Sequence, residues 1–393
     1  MKTIRDLDIN GKRVLIRVDF NVPLNEQDEI TDDLRIRTVL PTIQYALDQG
    51  AKVILASHRG RPKGRRVEKY SLAPVVERLA ELIGNEVLLA PNCVGSEVRD
   101  MVKSWTVGTG CLLLENLRFH PGEEANDPAF SKQLALLADV YINDAFAVSH
   151  RAHASVAGVT EHVKEKAAGL LLDKEMSFFH RSVDEPQRPL VAIVGGAKVS
   201  GKLEALTNML NKVDCLLIGG AMANTFLKSQ GYSVGASKVE DDLLDNARQL
   251  LVDAKEKGVK VYLPVDVIAA DRFAADAVCK QVTIQDIPEN WMALDIGPAS
   301  VICFSEVLAD AKTIIWNGPM GAFEMDAYAR GTMALAHTVA SAHALSITGG
   351  GDSNAAVRQS GEADNISYMS TGGGAFLMLM EGKELPGVQA LEA

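Results

Sequence analysis

The chain has 393 residues, 47% of them hydrophobic and 23% charged, and its formal net charge is -11. Because single hydrophobic cores stop growing at about 250–300 residues, this length predicts two domains. The composition is that of an ordinary globular protein and excludes extended disorder. The acidic balance disfavours a nucleic-acid-binding protein, which usually presents a broad basic face, but it is compatible with a local cationic cleft.

The cysteines are odd in number and widely spaced, and most of them lie within apolar runs: Cys93, Cys111, Cys215, Cys279 and Cys303. This pattern predicts reduced, buried thiols rather than a disulfide framework or a zinc site, and no cysteine lies in a recognisable nucleophile context. The first residues lack the apolar segment of a signal peptide, and no apolar run reaches about 18 residues. We therefore expect a cytoplasmic protein without a membrane partner.

Short apolar runs alternate with longer helical patterns along the whole chain. The runs that predict strands cover residues 14–18, 53–56, 87–89, 112–114, 140–142, 190–194, 215–218, 261–263, 313–316 and 345–348. They show no polar alternation, so both faces should be covered, as in a parallel sheet. Helices are predicted over residues 71–83, ending at Gly84, and over 170–183 and 241–257. The pattern predicts an α/β protein with two Rossmann-like, doubly wound parallel-sheet lobes joined by a hinge helix.

A polar, proline-marked break over residues 184–189 follows the helix predicted at 170–183. We expect an N-terminal domain of residues 1–170, a connecting helix and hinge at 171–189, and a C-terminal domain of 190–372. A second hinge is expected around 371–374, with residues from about 373 to 393 packing back on the first domain.

Cationic and polar side chains recur at the ends of the strands predicted in the first half. They occur in the segments RVDFNVP, RIR, SHRGRP, ENLRF and NDAFAVSHRAH, which begin at Arg17, Arg35, Ser57, Glu115 and Asn143. Ligands of open parallel sheets bind beyond the carboxyl ends of strands, and guanidinium groups bind carboxylate and phosphate bidentately. The repetition predicts a small ligand with several negative charges.

Each of these groups alone has a simpler interpretation. A single arginine after a strand is most often a solvated surface charge, and Asp19 alone would serve as a helix cap or an ion-pair partner. His58, His150 and His153 suggest a metal site, but neither their spacing nor a nearby cysteine supports one.

Glycines take the same positions in the second half. The segments are VGGAKVSGK, GGAMAN, WNGPMGAFE, GGGDS and TGGGA, which begin at Val194, Gly219, Trp316, Gly349 and Thr371. Glycine at the start of a helix lets free backbone N–H groups hold phosphate oxygens, so these segments predict a nucleotide-binding lobe. Lys198 and Lys202 would share a helical face if the turn between them is helical, and Asp352 is a candidate Mg²⁺ contact. Glu324 is either a ribose contact or a surface acid.

Two common nucleotide motifs are absent, the Walker pattern and a clean G-x-G-x-x-G. The second absence disfavours an NAD-dependent dehydrogenase, which the fold class alone would allow. A regulatory or scaffold protein that kept the fold without catalysis is the other alternative. It would be marked by loss of Lys198, Arg35 or Asp352, and all three are present.

Taken together and in order, these motifs resemble the bacterial form of the phosphoglycerate kinase family over nearly the whole chain. The resemblance implies substrate contacts from Asp19, Phe20, Asn21, Arg35, His58, Arg59, Gly60, Arg61, Arg118 and Arg151. It implies nucleotide contacts from Gly196, Lys198, Lys202, Gly219, Asn317, Pro319, Glu324, Gly350, Gly351, Asp352 and Ser353, with Asp352 as the Mg²⁺ ligand. The catalytic positions implied are Arg35, Lys198, Gly350 and Gly373.

The same resemblance implies a monomeric, glycolytic phosphotransferase that uses Mg²⁺ and moves a phosphoryl group reversibly from 1,3-bisphosphoglycerate to ADP. The products are 3-phosphoglycerate and ATP. The attacking oxygen is already ionised and the leaving group is a carboxylate, so in-line transfer on domain closure needs no general acid or base.

Some positions depart from the family pattern. Arg59 stands where a hydrophobic residue is usual, so no particular role follows for it. Ala-Val-Ser at 147–149 replaces Gly-Thr-Ala, Ser353 replaces threonine, and Asn354 is unusual.

Overall fold

The computed structural model describes all of residues 1–393. The chain forms two compact units: Met1–Met176 together with Glu384–Ala393, and Ser177–Lys383. None of the helices combines the length and the apolar composition needed to cross a membrane.

The first unit is built on a six-stranded, wholly parallel sheet. Its strands are β1 (Arg13–Arg17), β2 (Lys52–Ala56), β3 (Glu86–Leu89), β4 (Gly110–Leu113), β5 (Val140–Asn143) and β6 (Glu165–Ala168). The spatial order is β3-β4-β2-β1-β5-β6, so the direction of winding reverses between β1 and β5. The helices are α1 (Leu34–Asp48), α2 (Ala73–Ile83), α3 (Ser96–Ser104), α4 (Pro121–Glu124) and α5 (Pro128–Ala135).

The apolar runs of the first half form the central strands because both of their faces are buried. Every residue of β4 and β5, and four of the five in β1 and in β2, lie in the interior. Helix α2 begins with Pro74 in its first turn and ends at Gly84, which adopts the left-handed conformation with φ 66°. Glycine reaches that region without the penalty of a Cβ atom, so the predicted stop at Gly84 is confirmed.

Helix α6 (Leu170–Phe179) continues into a short π-helical turn, His180–Asp184. The predicted helix over 170–183 is therefore present, with its last turn widened.

The second unit has its own six-stranded parallel sheet. Its strands are β7 (Leu190–Val194), β8 (Cys215–Ile218), β9 (Lys260–Tyr262), β13 (Thr313–Asn317), β14 (Leu345–Thr348) and β15 (Tyr368–Met369). The order β15-β14-β13-β7-β8-β9 reverses direction between β7 and β13. The helices are α7 (Leu203–Met209), α8 (Met222–Ser229), α9 (Leu244–Glu256), α10 (Pro298–Ala309), α11 (Arg330–Ser341), α12 (Gly351–Gln359) and α13 (Gly373–Met380).

A small antiparallel sheet of the second unit was not predicted. It consists of β10 (Asp266–Ala270), β11 (Cys279–Thr283) and β12 (Met292–Ile296), in the order β11-β10-β12. Strand β11 is an edge strand with four of its five residues exposed, so it lacks the continuous apolar run used to find strands. The same strand corrects the expectation of buried cysteines, since Cys279 is exposed although Cys93 and Cys111 are buried.

The last ten residues belong to the first unit. They include helix α14 (Pro386–Glu392), where Gly387 N donates to the Ser149 carbonyl at 2.9 Å. Residues 373–383 are predicted from the sequence to pack on the first domain as well, but in the structure they belong to the second unit. Asn208 Nδ2 on α7 donates to the Met380 carbonyl at 2.7 Å, and Lys383 pairs with Glu204 at 2.6 Å, which holds α13 there.

Candidate functional site

The predicted anion-binding groups of the first unit follow β1, β2, β4 and β5 or lie in α1, and the winding of the sheet reverses between β1 and β5. Asp19 follows β1, forms an ion pair with Arg35 and accepts a hydrogen bond from Asn21 N at 3.0 Å. Arg35 lies in the first turn of α1 rather than before the helix. Ligands of doubly wound sheets bind at such reversals, beyond the carboxyl ends of the strands.

Several cations surround His58, which is 3% exposed. Burial lowers the pKa of His58 well below its usual value, and the charges of Arg17, Arg118 and Arg35 lower it further. The same cluster acts on His153, whose pKa falls to about 4 through burial and through the charges of Arg17, Arg118 and Arg151. So many cations around two buried imidazoles are chemically suited to a multiply charged anion.

The loop after β2 is held from three sides. Gly60 N donates to Asn21 Oδ1 at 2.8 Å, and the Gly60 carbonyl accepts from Arg118 Nη1 at 2.8 Å. Backbone N–H of Arg59 donates to Asn116 Oδ1 at 3.2 Å. These bonds bring Asn21, Gly60 and Arg118 into one local arrangement.

Two residues of the predicted substrate set turn their side chains into the protein. Phe20 is fully buried, and its backbone N–H donates to Ser57 Oγ at 2.8 Å. Arg59 is 8% exposed and donates through Nη1 to the Ser71 carbonyl at 2.8 Å. It thereby ties the loop to the segment before α2. Arg61, by contrast, is exposed, and Arg151 is half-buried with Nε 3.1 Å from His150 Nε2.

In the second unit, glycine loops pack against one another at the reversal between β7 and β13. Gly195 N donates to the Asn317 carbonyl and Gly196 N to the Pro319 carbonyl, each at 3.0 Å. A Cβ atom on Gly219 would lie 2.3 Å from Met320 Sδ, and one on Gly220 would lie 2.5 Å from the backbone nitrogen of Gly196, so Gly220 has no room for a side chain. The loops after β7, β8 and β13 therefore form one rigid floor with backbone groups at its surface.

The two predicted lysines do not share a helical face. Helix α7 begins at Leu203, so the turn from Lys198 to Lys202 is not helical. Lys202 Nζ turns inward and donates to the Gly195 and Asn317 carbonyls at 2.8 and 2.9 Å. Burial lowers the pKa of Lys202 to about 8, against the opposing charge of Asp352. Lys198 is exposed.

Two helix N-termini meet beside this floor. Gly350 (φ 102°) precedes α12, and a Cβ atom on Gly373, the first residue of α13, would lie 3.1 Å from Gly350 Cα. Ser353 Oγ accepts from Gly318 N at 2.6 Å and donates to the Gly349 carbonyl at 3.0 Å. Free N–H groups at helix starts favour phosphate oxygens, so this corner fits a phosphate chain.

Two predicted acids differ in their surroundings. Asp352 is exposed in the first turn of α12, close enough to Lys202 to oppose the fall in that pKa. Mg²⁺ is commonly held by one or two carboxylates together with substrate phosphates and water, so a single carboxylate here fits a cation that arrives with a nucleotide. Glu324 is exposed at the end of the loop after β13.

Sequence reasoning missed several residues that organise these sites. Glu240 accepts hydrogen bonds from Val199 N at 2.5 Å and from Ser200 Oγ at 2.5 Å, which shapes the turn after Lys198. Nothing near Glu240 in the sequence indicates this contact. Arg17 was visible in its motif but received no role, although it lies at the centre of the cation cluster.

Comparison with known proteins decides the family. The family model described as phosphoglycerate kinase matches residues 4–383. Phosphoglycerate kinase of Desulfotalea psychrophila is 66% identical over 393 residues, covering 100% of both chains, and that of Geobacter metallireducens is 60% identical over 98% of this chain and 96% of its own. The solved structure of phosphoglycerate kinase from Coxiella burnetii has a TM-score of 0.91 at 44% identity, covering 99% of this chain and 98% of its own.

The chain belongs to the phosphoglycerate kinase family. The resemblance inferred from the motifs and the predicted fold class are thereby confirmed. The phosphoglycerate kinase of Pyrococcus horikoshii, only 29% identical, still has a TM-score of 0.85 over 100% of this chain and 98% of its own. The fold therefore extends well beyond close sequence similarity.

Within this phosphoglycerate kinase family member, the departures noted in the sequence have visible contacts. Ser353 uses its hydroxyl to join the loops after β13 and β14. Asn354 accepts from Thr348 Oγ1 at 2.7 Å and donates to the Ser370 carbonyl at 2.8 Å, which links the ends of β14 and β15.

Proposed function

We propose that the chain catalyses reversible phosphoryl transfer from 1,3-bisphosphoglycerate to ADP, giving 3-phosphoglycerate and ATP. The proposal depends on two features of the chain. One unit has a cation cluster around His58, and the other has a glycine-lined floor and two helix N-termini. Family membership supports the same reaction.

The cation cluster would bind the phosphoglycerate. Arg35, Arg118 and Arg151 offer guanidinium groups for carboxylate and phosphate, and Asn21 and Asp19 offer polar partners for a hydroxyl. Of the other proposed contacts, the exposed Arg61 would reach the ligand through its guanidinium group. Phe20 and Gly60 would support the site rather than touch the ligand, because their backbone groups already bind protein partners. We assign Arg59 no direct contact, because its guanidinium is buried against Ser71.

The glycine-lined floor would bind the nucleotide. The N–H groups at the starts of α12 and α13 would donate to phosphate oxygens. The inward-facing Lys202 and the exposed Lys198 would add positive charge on either side of the phosphates. Of the remaining proposed contacts, Ser353 fixes the loops, and the exposed Glu324 would meet the ribose. Asp352 would hold Mg²⁺, which when bound neutralises phosphate charge.

The chemistry requires positioning and charge stabilisation rather than proton transfer. Arg35 and Lys198, with the backbone at Gly350 and Gly373, are the groups we propose to stabilise the transferring phosphoryl group. Since the two ligands are held by different units, transfer requires a closing motion, and residues 171–189 and 371–374 are the proposed hinges. The further expectations of a cytoplasmic monomer without nucleic-acid or membrane partners belong to this proposal.

A coupled assay tests the proposal. The full chain should form ATP from ADP and 1,3-bisphosphoglycerate, and omission of Mg²⁺ should abolish the activity. Arg35→Ala and Lys198→Ala should each lower kcat by about 10²–10³ with an unchanged unfolding midpoint, since removal of one transition-state donor has that effect. No activity in the wild-type chain would refute the function, and near-normal variants would remove those two residues from the transition state.

A further inference from the structure

A carboxylate without any exposed surface lies beneath the cation cluster. Glu123 on α4 is 0% exposed, and both of its oxygens are bound by Ser155: Oγ donates to Oε1 at 2.6 Å and backbone N–H donates to Oε2 at 2.9 Å. Burial raises the pKa of Glu123, whereas the charge of Arg17 lowers it. A buried carboxylate is costly unless it is paired and hydrogen-bonded, so its partners indicate what it does.

Ser155 joins this carboxylate to a buried arginine. Arg17, 1% exposed, donates through Nε to Ser155 Oγ at 2.8 Å, while the same hydroxyl donates to Glu123. A hydroxyl has one proton to donate and lone pairs to accept with, so it can serve both partners at once. The negative charge of Glu123 thereby holds the guanidinium of Arg17 through one intervening oxygen.

Arg17 in turn fixes the ring of His58. Its Nη2 lies 3.2 Å from His58 Nδ1, and a guanidinium can only donate, so Nδ1 must accept. Asp19 Oδ1 is 3.8 Å from the same nitrogen, beyond hydrogen-bond distance. With burial and the charges of Arg17, Arg35, Arg118 and His153 lowering the pKa of His58, the ring is neutral and its single proton lies on Nε2.

We propose that Glu123 is a positioning residue for the anionic substrate: acting through Ser155 and Arg17, it presents His58 as a neutral imidazole whose Nε2–H donates to a substrate oxygen. The inference rests on the proposed function. Its physical basis is that the opposite tautomer would turn a nitrogen lone pair toward an anionic oxygen and repel it. A fixed N–H donor adds a directed bond to the guanidinium charges around it.

The tautomer can be measured directly in the unaltered chain. Ring ¹⁵N chemical shifts of His58, assigned by loss of its signals in His58→Asn, should show a protonated Nε2 and an unprotonated Nδ1 from pH 6 to 8. Burial and the cations Arg17, Arg35 and Arg118 should keep the ring neutral over that range against the carboxylate of Asp19. His153 also faces the ring but is itself uncharged there, since its pKa is about 4. A charged ring or an Nδ1–H tautomer overturns the proposal, whether or not the variants below fold.

Kinetics separate positioning from general structural support. In Glu123→Gln and in Ser155→Ala, KM for 3-phosphoglycerate should rise about tenfold, a typical effect of losing a buried charge-assisted hydrogen bond. KM for ATP and kcat should stay within about twofold. The double variant should be no worse than the more affected single variant, because both changes break the same chain of contacts.

Ser131→Ala is the matched control, since the Ser131 hydroxyl is buried in the same unit without a hydrogen-bond partner. Its KM for 3-phosphoglycerate should not change. Folded Glu123→Gln with an unchanged KM, or with equal losses toward both substrates, overturns the positioning role. Lack of activity in the wild-type chain would refute the proposed function instead, and the ring ¹⁵N measurement would still stand.

Discussion

At Lys202, burial and the charge of Asp352 shift the pKa in opposite directions. Its ammonium group donates to two backbone carbonyls, and burial lowers its pKa to about 8. The ammonium is the form that attracts phosphate, and bound phosphate raises its pKa, so the affinity for ADP should fall as pH rises above about 8. Calorimetric titration of ADP between pH 7.5 and 9.5, in buffers of equal ionic strength, measures this loss.

Two variants separate this titration from other effects of pH. Lys202→Arg stays charged throughout the range, so its affinity for ADP should be flat with pH. Lys202→Met should bind ADP weakly and equally at every pH. A wild-type affinity for ADP that stays constant to pH 9.5 would show that the charge of Lys202 does not contribute to binding the phosphates.

At the residue scale, the grouping of residues could be predicted from the sequence more accurately than the direction of their side chains. Arg17 at the end of β1 and Arg118 after β4 lower the pKa values of the same two imidazoles, as expected from their positions at strand ends. Arg59 was grouped with them, yet its guanidinium is directed into the protein. Direction depends on partners distant in sequence, here the carbonyl of Ser71, and local spacing does not contain that information.

Helix α6 has an unusual cap. Asp144, fully buried after β5, accepts hydrogen bonds from Leu171 N and Leu172 N at 2.8 and 3.1 Å. Burial raises the pKa of Asp144 to about 7, against the opposing effects of the Thr42 hydroxyl and these amides. Because the folded chain then binds more protons than the unfolded chain between about pH 4 and pH 7, this group makes the protein less stable as pH rises through that window.

Replacement of Asp144 by asparagine should therefore have an effect that depends on pH. Asp144→Asn keeps an acceptor for the two amides without a charge, so its unfolding midpoint should exceed that of the wild type slightly at pH 5 and by more at pH 8. Asp144→Ala removes the acceptor and should destabilise the fold by about 1–3 kcal/mol at both values. Thermal unfolding of the three proteins at pH 5 and 8 gives the comparison, and a constant difference between Asn and Asp forms would contradict the raised pKa.

At the element scale, the predictable parts of the fold are those with continuous apolar runs. Strands β7, β8 and β14 have the predicted bounds, and their buried faces explain why. Strand β15 has only two residues, and β11 is an exposed edge, so neither has the signal that identifies a buried strand. The antiparallel sheet is held by pairing between segments rather than by a pattern within any one of them.

At the scale of the whole molecule, both candidate sites follow from topology. Each parallel sheet reverses its winding once, between β1 and β5 and between β7 and β13, and the loops after those strands and their neighbours contain the candidate groups. Strand alternation predicted such sheets, but the strand order needed to locate the reversals is set by long-range packing. The assignment of residues 384–393 to the first unit is likewise a long-range feature.

The return of the chain end to the first unit depends on a tightly enclosed glycine. A Cβ atom on Gly387 would lie 2.7 Å from Val156 Cγ1 and 3.0 Å from both Asn143 Nδ2 and Ser149 Cα. Asn143 Nδ2 also donates to the Gly387 carbonyl at 3.3 Å, so the contact joins α14 to the end of β5. Gly387→Val should therefore destabilise the first unit by about 1–3 kcal/mol through overpacking.

Hydrogen exchange measures which part of the protein loses stability in this variant. In Gly387→Val, amides of β5 and of residues 144–156 should exchange faster, whereas those of β7 and β13 in the second unit should keep their wild-type rates, because the displaced contacts all lie in the first unit. Gly201→Ala is the control, since a Cβ atom there meets nothing within 4 Å. Unchanged exchange near β5 would mean that α14 is dispensable for the first unit, and equal acceleration in both units would mean that the two unfold together rather than as separate cooperative bodies.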